Sequence, residues 1–239
     1  MTPITVENNA APDKYKVEPL RMYVVGGGMD YIRMFFEAGF RGAKNLDEAD
    51  VVCFTGGEDV DPQLYGERAL TCTRFNTARD QYEMDVFANA LQLDVPMVGI
   101  CRGAQFLNVM NSGKLWQDVN NHAICGTHPI IDQETGEEIP GMTSTHHQQM
   151  IPHESGKVLA LAGLSTNKIS AGREVARTEP ALDDVEVVWY EETASLCFQP
   201  HPEYSHGQCR DYFLGLVDKY VLDRYVDTDE DDDNNEETK

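Results

Sequence analysis

Cys101 stands between two glycines, in Val98-Gly99-Ile100-Cys101-Arg102-Gly103-Ala104-Gln105. A hundred residues on, Gln199-Pro200-His201-Pro202-Glu203 offers an imidazole and a carboxylate two positions apart. A residue before proline is biased towards extended backbone, which applies to both Gln199 and His201. In an extended segment positions i and i+2 share a face, so Glu203 can orient His201 and His201 can take the proton of Cys101. That is the arrangement of a thiol triad performing nucleophilic catalysis. Read alone, His-x-Glu is also the composition of a surface turn. A lone cysteine is also commonly a small buried hydrophobe. The paired glycines tilt Cys101 towards the nucleophile.

Such a thiol must be presented by the backbone, and the flanking sequence describes how. Val95-Pro96-Met97-Val98-Gly99-Ile100 is a short apolar run of the kind found in buried parallel strands. Downstream, Phe106, Val109 and Met110 recur at helical spacing until Asn111-Ser112-Gly113 ends the pattern. Cys101 is therefore expected at a sharp strand-to-helix turn, a nucleophile elbow with sulfur in place of oxygen. Gly99 and Gly103 permit the turn and the close approach, and the helix N-terminus favours thiolate over thiol.

The rest of the chain alternates in the same way. Met22–Val25 reads as a strand followed by Gly26-Gly27-Gly28, and a helix over about 30–38 is expected to bury Ile32, Phe35 and Phe36. The glycine run lacks the spacing of a dinucleotide loop and any following Gly-Lys-Ser/Thr, so nucleotide binding is not expected there. Residues 49–55 form a second apolar run ending in Gly56-Gly57, whose free N–H groups either face a ligand or merely close a turn. Residues 79–93 suit an amphipathic helix with Met84, Phe87, Ala88 and Leu91 inward. From about 119 to 141 the chain reads as polar and loop-rich. Val185–Tyr190 and Leu196–Gln199 read as a hairpin-like pair. This pattern predicts an α/β fold, a single flavodoxin-like three-layer domain with a mainly parallel central sheet and a nucleophile elbow. Sites in such sheets gather beyond the carboxyl ends of the strands, where Gly57 and Cys101 both fall.

The 239 residues carry 41 acids against 19 bases, a formal charge of −22, which argues against nucleic acid or an anionic membrane as partner. Part of this charge sits in residues 227–239, with eight acids and one lysine, expected to be a disordered tail. Residues 1–20 are polar and aperiodic and read as a flexible arm, leaving 21–226 as the domain. The six cysteines at 53, 72, 101, 125, 197 and 209 show no zinc-type spacing. No leader or membrane-length apolar run is apparent, so a reducing cytoplasm is the expected location. In Met142-Thr-Ser-Thr-His146-His147-Gln148-Gln149 the adjacent histidines point to opposite faces of an extended chain, with no third ligand at useful spacing, so no metal is expected.

Jointly these segments resemble the class I glutamine amidotransferase-like superfamily, with Gly99–Gln105 similar to its elbow and Gln199–Glu203 similar to its second motif. Thr55-Gly56-Gly57-Glu58-Asp59-Val60-Asp61-Pro62, Tyr65-Gly66, Arg79-Asp80 with Glu83, and Ser144–Gln148 resemble its γ-glutamyl hydrolase branch, including γ-glutamyl-γ-aminobutyrate hydrolases. The segment before residue 50 is short for that branch, and 120–140 has no counterpart in it. The resemblance implies thiol-dependent hydrolysis of a γ-glutamyl amide in a small-molecule substrate through a Cys101–His201–Glu203 triad and a γ-glutamyl thioester. It also implies an oxyanion hole from the backbone N–H groups of Gly57 and Arg102, and substrate contacts from Gln105 and from His147 or Gln148. No cofactor is implied. The alternative within the superfamily is a glutaminase subunit delivering ammonia to a separate synthetase partner. A homo-oligomer is a further expected assembly, and a catalytically dead binding module the reading of a different class.

Overall fold

The structure is a computed structural model that describes residues 18–204 and 206–223. The expected arm up to residue 17 and the whole acidic tail lie outside the described residues. The chain runs β1 (Arg21–Val25), α1 (Met29–Glu37), β2 (Arg41–Gly42), β3 (Val51–Phe54), α2 (Thr77–Gln92), β4 (Met97–Ile100) and α3 (Arg102–Met110). A mostly β half follows: β5 (Lys114–Trp116), β6 (Asp118–Val119), β7 (Ala123–Asp132), β8 (Glu138–Thr145), β9 (Gln149–Ile151) and β10 (Lys157–Ala162). It is completed by β11 (Asn167–Ser170), β12 (Arg173–Ala176), β13 (Asp184–Tyr190) and β14 (Ser195–Phe198), before α4 (Gln208–Leu216).

The central sheet has the order β2-β1-β3-β4-β14-β13-β10-β7-β8. Pairing is parallel from β2 to β14 and antiparallel from β14 to β8. Only β13 and β7 run against the rest, so this is an α/β fold with a large, mainly parallel sheet. Every residue of β3, β4 and β14 is buried, as strands covered on both faces require. Side chains alternate along β3: Val51 and Cys53 join Phe35 of α1 and Phe213 of α4, whereas Val52 and Phe54 join Phe87 of α2 and Phe106 of α3. These are the three layers. Among the described residues no helix is long and apolar enough to cross a membrane.

Three local expectations are corrected. First, α1 buries Met34 and Phe35, while Ile32 and Phe36 are exposed, Phe36 by 63 %. One residue turns a helix by about 100°, so with Phe35 against Phe40 and Phe213 its neighbour Phe36 faces out. Second, α2 turns Asp80, Glu83, Val86, Phe87 and Ala90 inward, and Ala88 and Leu91 lie outside. Its inward face is partly charged because a buried arginine waits there. Third, much of the supposed loop over 119–141 belongs to the β7–β8 hairpin, with Thr127 opposite Thr143 and Ile131 opposite Glu138. Its inward positions include His128, Asp132 and Ser144, which hide the alternation from a hydropathy reading.

The elbow is the tightest part of the frame. Cys101 has φ 52° and ψ −109°, a conformation that a non-glycine residue holds only where its surroundings impose it. A Cβ on Gly99 would lie 2.4 Å from the Gly103 carbonyl oxygen, and one on Gly103 would lie 2.1 Å from the Phe54 carbonyl oxygen. Gly103→Ala is therefore expected to cost about 3 kcal/mol, the upper end for overpacking, because the obstructing atom is backbone. A urea titration checks this, and a midpoint equal to wild type would show that α3 can slide away from β3 without loss.

Candidate active site

The thiol and the imidazole meet because β14 lies beside β4. The register sets Phe198 against Ile100, and the Cys101 N–H donates to the Phe198 carbonyl at 2.9 Å. The two strand ends then deliver Cys101 and His201 to the same edge of the sheet. His201 Nδ1 lies 2.6 Å from Glu203 Oε1, and Cys101 is the other group that interacts with the ring. The Glu203 contact comes from a 3-10 turn, Pro202–Tyr204, rather than the extended segment expected. The turn brings i and i+2 together by curling where a strand would do so by alternation. Burial alone would lower the His201 pKa, but the hydrogen bonds and charges of Cys101 and Glu203 outweigh it and raise the value to about 10.

Three further groups fix this pair. The Thr143 hydroxyl donates to the His201 carbonyl at 3.0 Å and accepts from its N–H at 2.7 Å. The Tyr204 ring stacks on the imidazole, with centroids 4.4 Å apart and planes 3° from parallel. The Tyr31 hydroxyl accepts from the Gly56 N–H at 3.1 Å and feels the charge of Glu203. Burial, with the charge of Glu203, pushes the Tyr31 pKa well up, so it stays a donor. None of the three follows from the catalytic spacing. The one signal for Tyr31 is the glycine turn before α1, which marks the carboxyl end of β1 and hence the same edge of the sheet.

Gly57 lies at the carboxyl end of β3 with φ 145°. Arg79 clamps this turn, donating to the Thr55 carbonyl at 2.9 Å and the Gly56 carbonyl at 3.1 Å. Arg79 is in the first turn of α2, which Asn76 caps by accepting from the N–H groups of Ala78 and Arg79. Its Nε donates to Glu83 at 2.8 Å, and Glu83 also pairs with the buried Arg102 side chain. Asp80 is the second carboxylate on Arg102, and it accepts from the Asp61 N–H at 3.1 Å. Burial, followed by the charge of Arg79, lowers the Arg102 pKa to about 10. One buried network thus ties the β3 turn to the residue after the elbow. Glu83→Gln, which strips a charge from both arginines, is expected to cost about 3 kcal/mol, the lower end for breaking a buried pair, since Asp80 remains. Chemical denaturation measures it, and an unchanged midpoint would assign the arginines' pairing to Asp80 alone.

A cavity of about 210 Å³ opens over Cys101, lined by Gly57, Arg102, Gln105, His147 and Gln148 among others. The side chain of Gln105 is committed to the fold, with its Nε2 donating to the Gln148 carbonyl and to Gln199 Oε1, both at 3.2 Å. Gln148 is buried, yet neither its amide oxygen nor its amide nitrogen has a partner. His147 is half-buried, 3.2 Å from Asp59 and 3.6 Å from Asp118, and its hydrogen bond to Asp59 raises its pKa. Six of the eight residues expected at the site line this cavity, with Arg102 and Gln105 aiming their side chains into the frame, while His201 and Glu203 are buried outside its lining. Such an enclosure can hold a small polar acyl group against a thiol, with an imidazole placed for proton transfer.

The Peptidase C26 family profile matches residues 32–203. NtpR of Enterococcus hirae is 31 % identical over 190 residues, covering 74 % of this chain and 75 % of that protein. The glutamine amidotransferase-like protein YvdE of Lactococcus lactis is 37 % identical over 103 residues, covering 43 % of this chain and 41 % of that protein. The matched stretch is thus less than half of YvdE. Among solved structures, PurLQS from Thermotoga maritima superposes with a TM-score of 0.56 over 84 % of this chain and 98 % of that one, at 18 % identity, a likeness of fold.

Proposed function

The chain belongs to the Peptidase C26 family of class I glutamine amidotransferase-like proteins, and from that premise we propose that it hydrolyses γ-glutamyl amide bonds through a Cys101 thioester. The observation that carries this reading is His201, held by Glu203 at 2.6 Å and interacting with Cys101, which lines a small polar cavity. The Cys101 thiolate adds to the δ-carbonyl carbon, and the resulting oxyanion is held by the backbone N–H groups of Gly57 and Arg102. As the C–N bond breaks, His201 gives its proton to the leaving amine, and a thioester remains. His201 then takes a proton from water, the hydroxide displaces sulfur, and the free γ-carboxylate leaves as the thiolate is restored. Glu203 holds the imidazole throughout. The unpartnered amide of Gln148 supplies a donor and an acceptor for the glutamyl group, His147 attracts its carboxylate, and Asp59 and Asp118 attract its ammonium. Gln105 acts by holding the Gln148 carbonyl.

A second reading rests on the outer flank of α1, where Met29 is 71 % exposed beside Phe36 and Ile32. There the chain is a glutaminase subunit, and a synthetase covers the flank and receives the ammonia. Assay of the isolated protein with glutamine, γ-glutamyl-aminobutyrate, γ-glutamyl peptides and polyglutamates distinguishes the two. The expected result is turnover of at least one γ-glutamyl amide at roughly 1–10³ s⁻¹. Negligible activity on the whole panel, restored by a co-purifying synthetase, would replace the hydrolase with the subunit.

A further inference from the structure

Behind the cavity wall lies a second constellation that the thiol chemistry does not use. His122 immediately precedes β7, His128 lies within it, His146 follows β8, and Glu186 belongs to β13. All four are buried, and one ligand atom from each lies within 4.8 Å of the others. From Glu186 Oε1 the separations are 3.5 Å to His122 Nδ1, 3.8 Å to His146 Nε2 and 4.0 Å to His128 Nε2. Four ligands around a tetrahedral zinc at about 2.1 Å would sit about 3.4 Å apart. These gaps are too long for hydrogen bonds and close to the span a metal bridges.

The far side of each ring sets its tautomer. His128 Nδ1 faces the Pro129 carbonyl at 2.9 Å, and His146 Nδ1 faces the Gln148 carbonyl at 2.9 Å. His122 Nε2 faces Asp184 Oδ2 at 3.1 Å. A carbonyl or carboxylate oxygen only accepts, so those nitrogens carry the protons and the inward nitrogens are bare lone pairs. His122 Nδ1, His128 Nε2 and His146 Nε2 accordingly have no hydrogen-bond partner, nor does Glu186 Oε2. Three buried lone pairs converging on a carboxylate, with no donor aimed at any of the three nitrogens, are costly unless a cation or a proton lies among them. The outer contacts are the kind that orient metal-bound imidazoles, and Gln149 Nε2 does the same for Glu186, donating to its Oε1 at 3.2 Å. Asp184, which holds His122, is itself neutralised by Lys168 at 2.7 Å.

We infer that His122, His128, His146 and Glu186 form a closed, four-ligand structural site for a divalent transition metal, with zinc the ion that best suits three imidazoles and one carboxylate. The adjacent pair His146-His147 gives no hint of it, because the two rings face opposite ways and the other ligands come from two other segments, around β7 and in β13. The site does not depend on the proposed reaction. Its mechanical consequence does bear on it: His146 bonds the Gln148 carbonyl that Gln105 also holds, so the ion would anchor the segment carrying His147 and Gln148.

The test is elemental analysis of the full chain, as purified and after chelation and reloading with zinc or cobalt. The expected result is about one equivalent of metal per chain, a visible d–d spectrum typical of tetrahedral cobalt, and a Tm that falls by several degrees on chelation and returns on reloading. His128→Gln and Glu186→Gln should lose the metal. Cys72→Ser should keep it, and this variant controls for Cys72, Asp118 and His147, a second group near the surface that is close enough to share an ion. Should the two ligand variants fail to fold, the cobalt spectrum and the chelation shift of the wild-type chain decide the matter. Less than a tenth of an equivalent in wild type under every loading condition, with Tm unmoved, would overturn the site. Loss of the metal in Cys72→Ser would overturn it too, by moving the ion to the surface group.

Discussion

Cys101→Ala is expected to lower kcat towards a γ-glutamyl amide by about 10⁶-fold, the scale at which removing the nucleophile acts in a serine triad. The fold should survive, because the substitution removes one sulfur and keeps the Cβ at φ 52°, so no new strain enters the elbow. Far-UV circular dichroism and Tm should therefore match wild type while turnover disappears. Alkylation supplies the independent check. Burial raises the thiol of Cys53 well above its ordinary value, raises that of Cys197, and raises that of Cys209 to about 11, so these three are slow to react. Cys72 is exposed and has His147 within 4.8 Å, whereas Cys101 interacts with His201 at a helix N-terminus beneath the cavity. Iodoacetamide should modify Cys101 first, in step with loss of activity. Full activity in the alanine variant, or inactivation that tracks Cys72, would remove Cys101 from the mechanism.

Glu203→Gln is expected to cost about 10⁴-fold in kcat, the scale found when the orienting carboxylate of a triad is lost. Its pH dependence tests the reason. An ordinary imidazole titrates near 6.5, but His201 stands at about 10, so wild type keeps its proton donor through neutral pH and should lose activity as pH rises past about 10. Without the Glu203 charge that upper limb should move towards neutrality. Stability must follow the same shift. The folded state binds the His201 proton more tightly than the unfolded chain, so this contribution is full below about pH 6.5 and is lost as pH climbs through about 10. The stability deficit of Glu203→Gln should then be largest below about pH 6.5 and smallest above about 10. A variant whose pH–rate profile overlays that of wild type would make Glu203 a turn residue.

Much of the frame could be read from the residues alone, because it rests on short-range causes. Continuous apolar runs at 51–54 and 97–100 mark strands covered on both faces, and Gly99 and Gly103 mark the close approach that the elbow needs. The pairing of β13 with β14 follows from two β-rich runs a short turn apart. The spacing of His201 and Glu203 permits their contact whether the segment is extended or curled. Matters settled between distant segments were not legible. That His201 reaches Cys101 depends on β14 lying next to β4, which no local pattern states. Asp80 and Glu83 face inward because Arg102 is buried opposite them, and an apolar periodicity looks straight past charged residues that are satisfied only by each other. The β7–β8 hairpin was obscured for the same reason, since His128, Asp132 and Ser144 occupy inward positions normally held by hydrophobes. His122, His128, His146 and Glu186 meet only once β7, β8 and β13 are folded into one sheet. Local composition determined where the backbone turns and which runs are buried, while tertiary structure decided which polar groups share a buried site, because the energy of a buried charge or lone pair depends on partners far away in the chain.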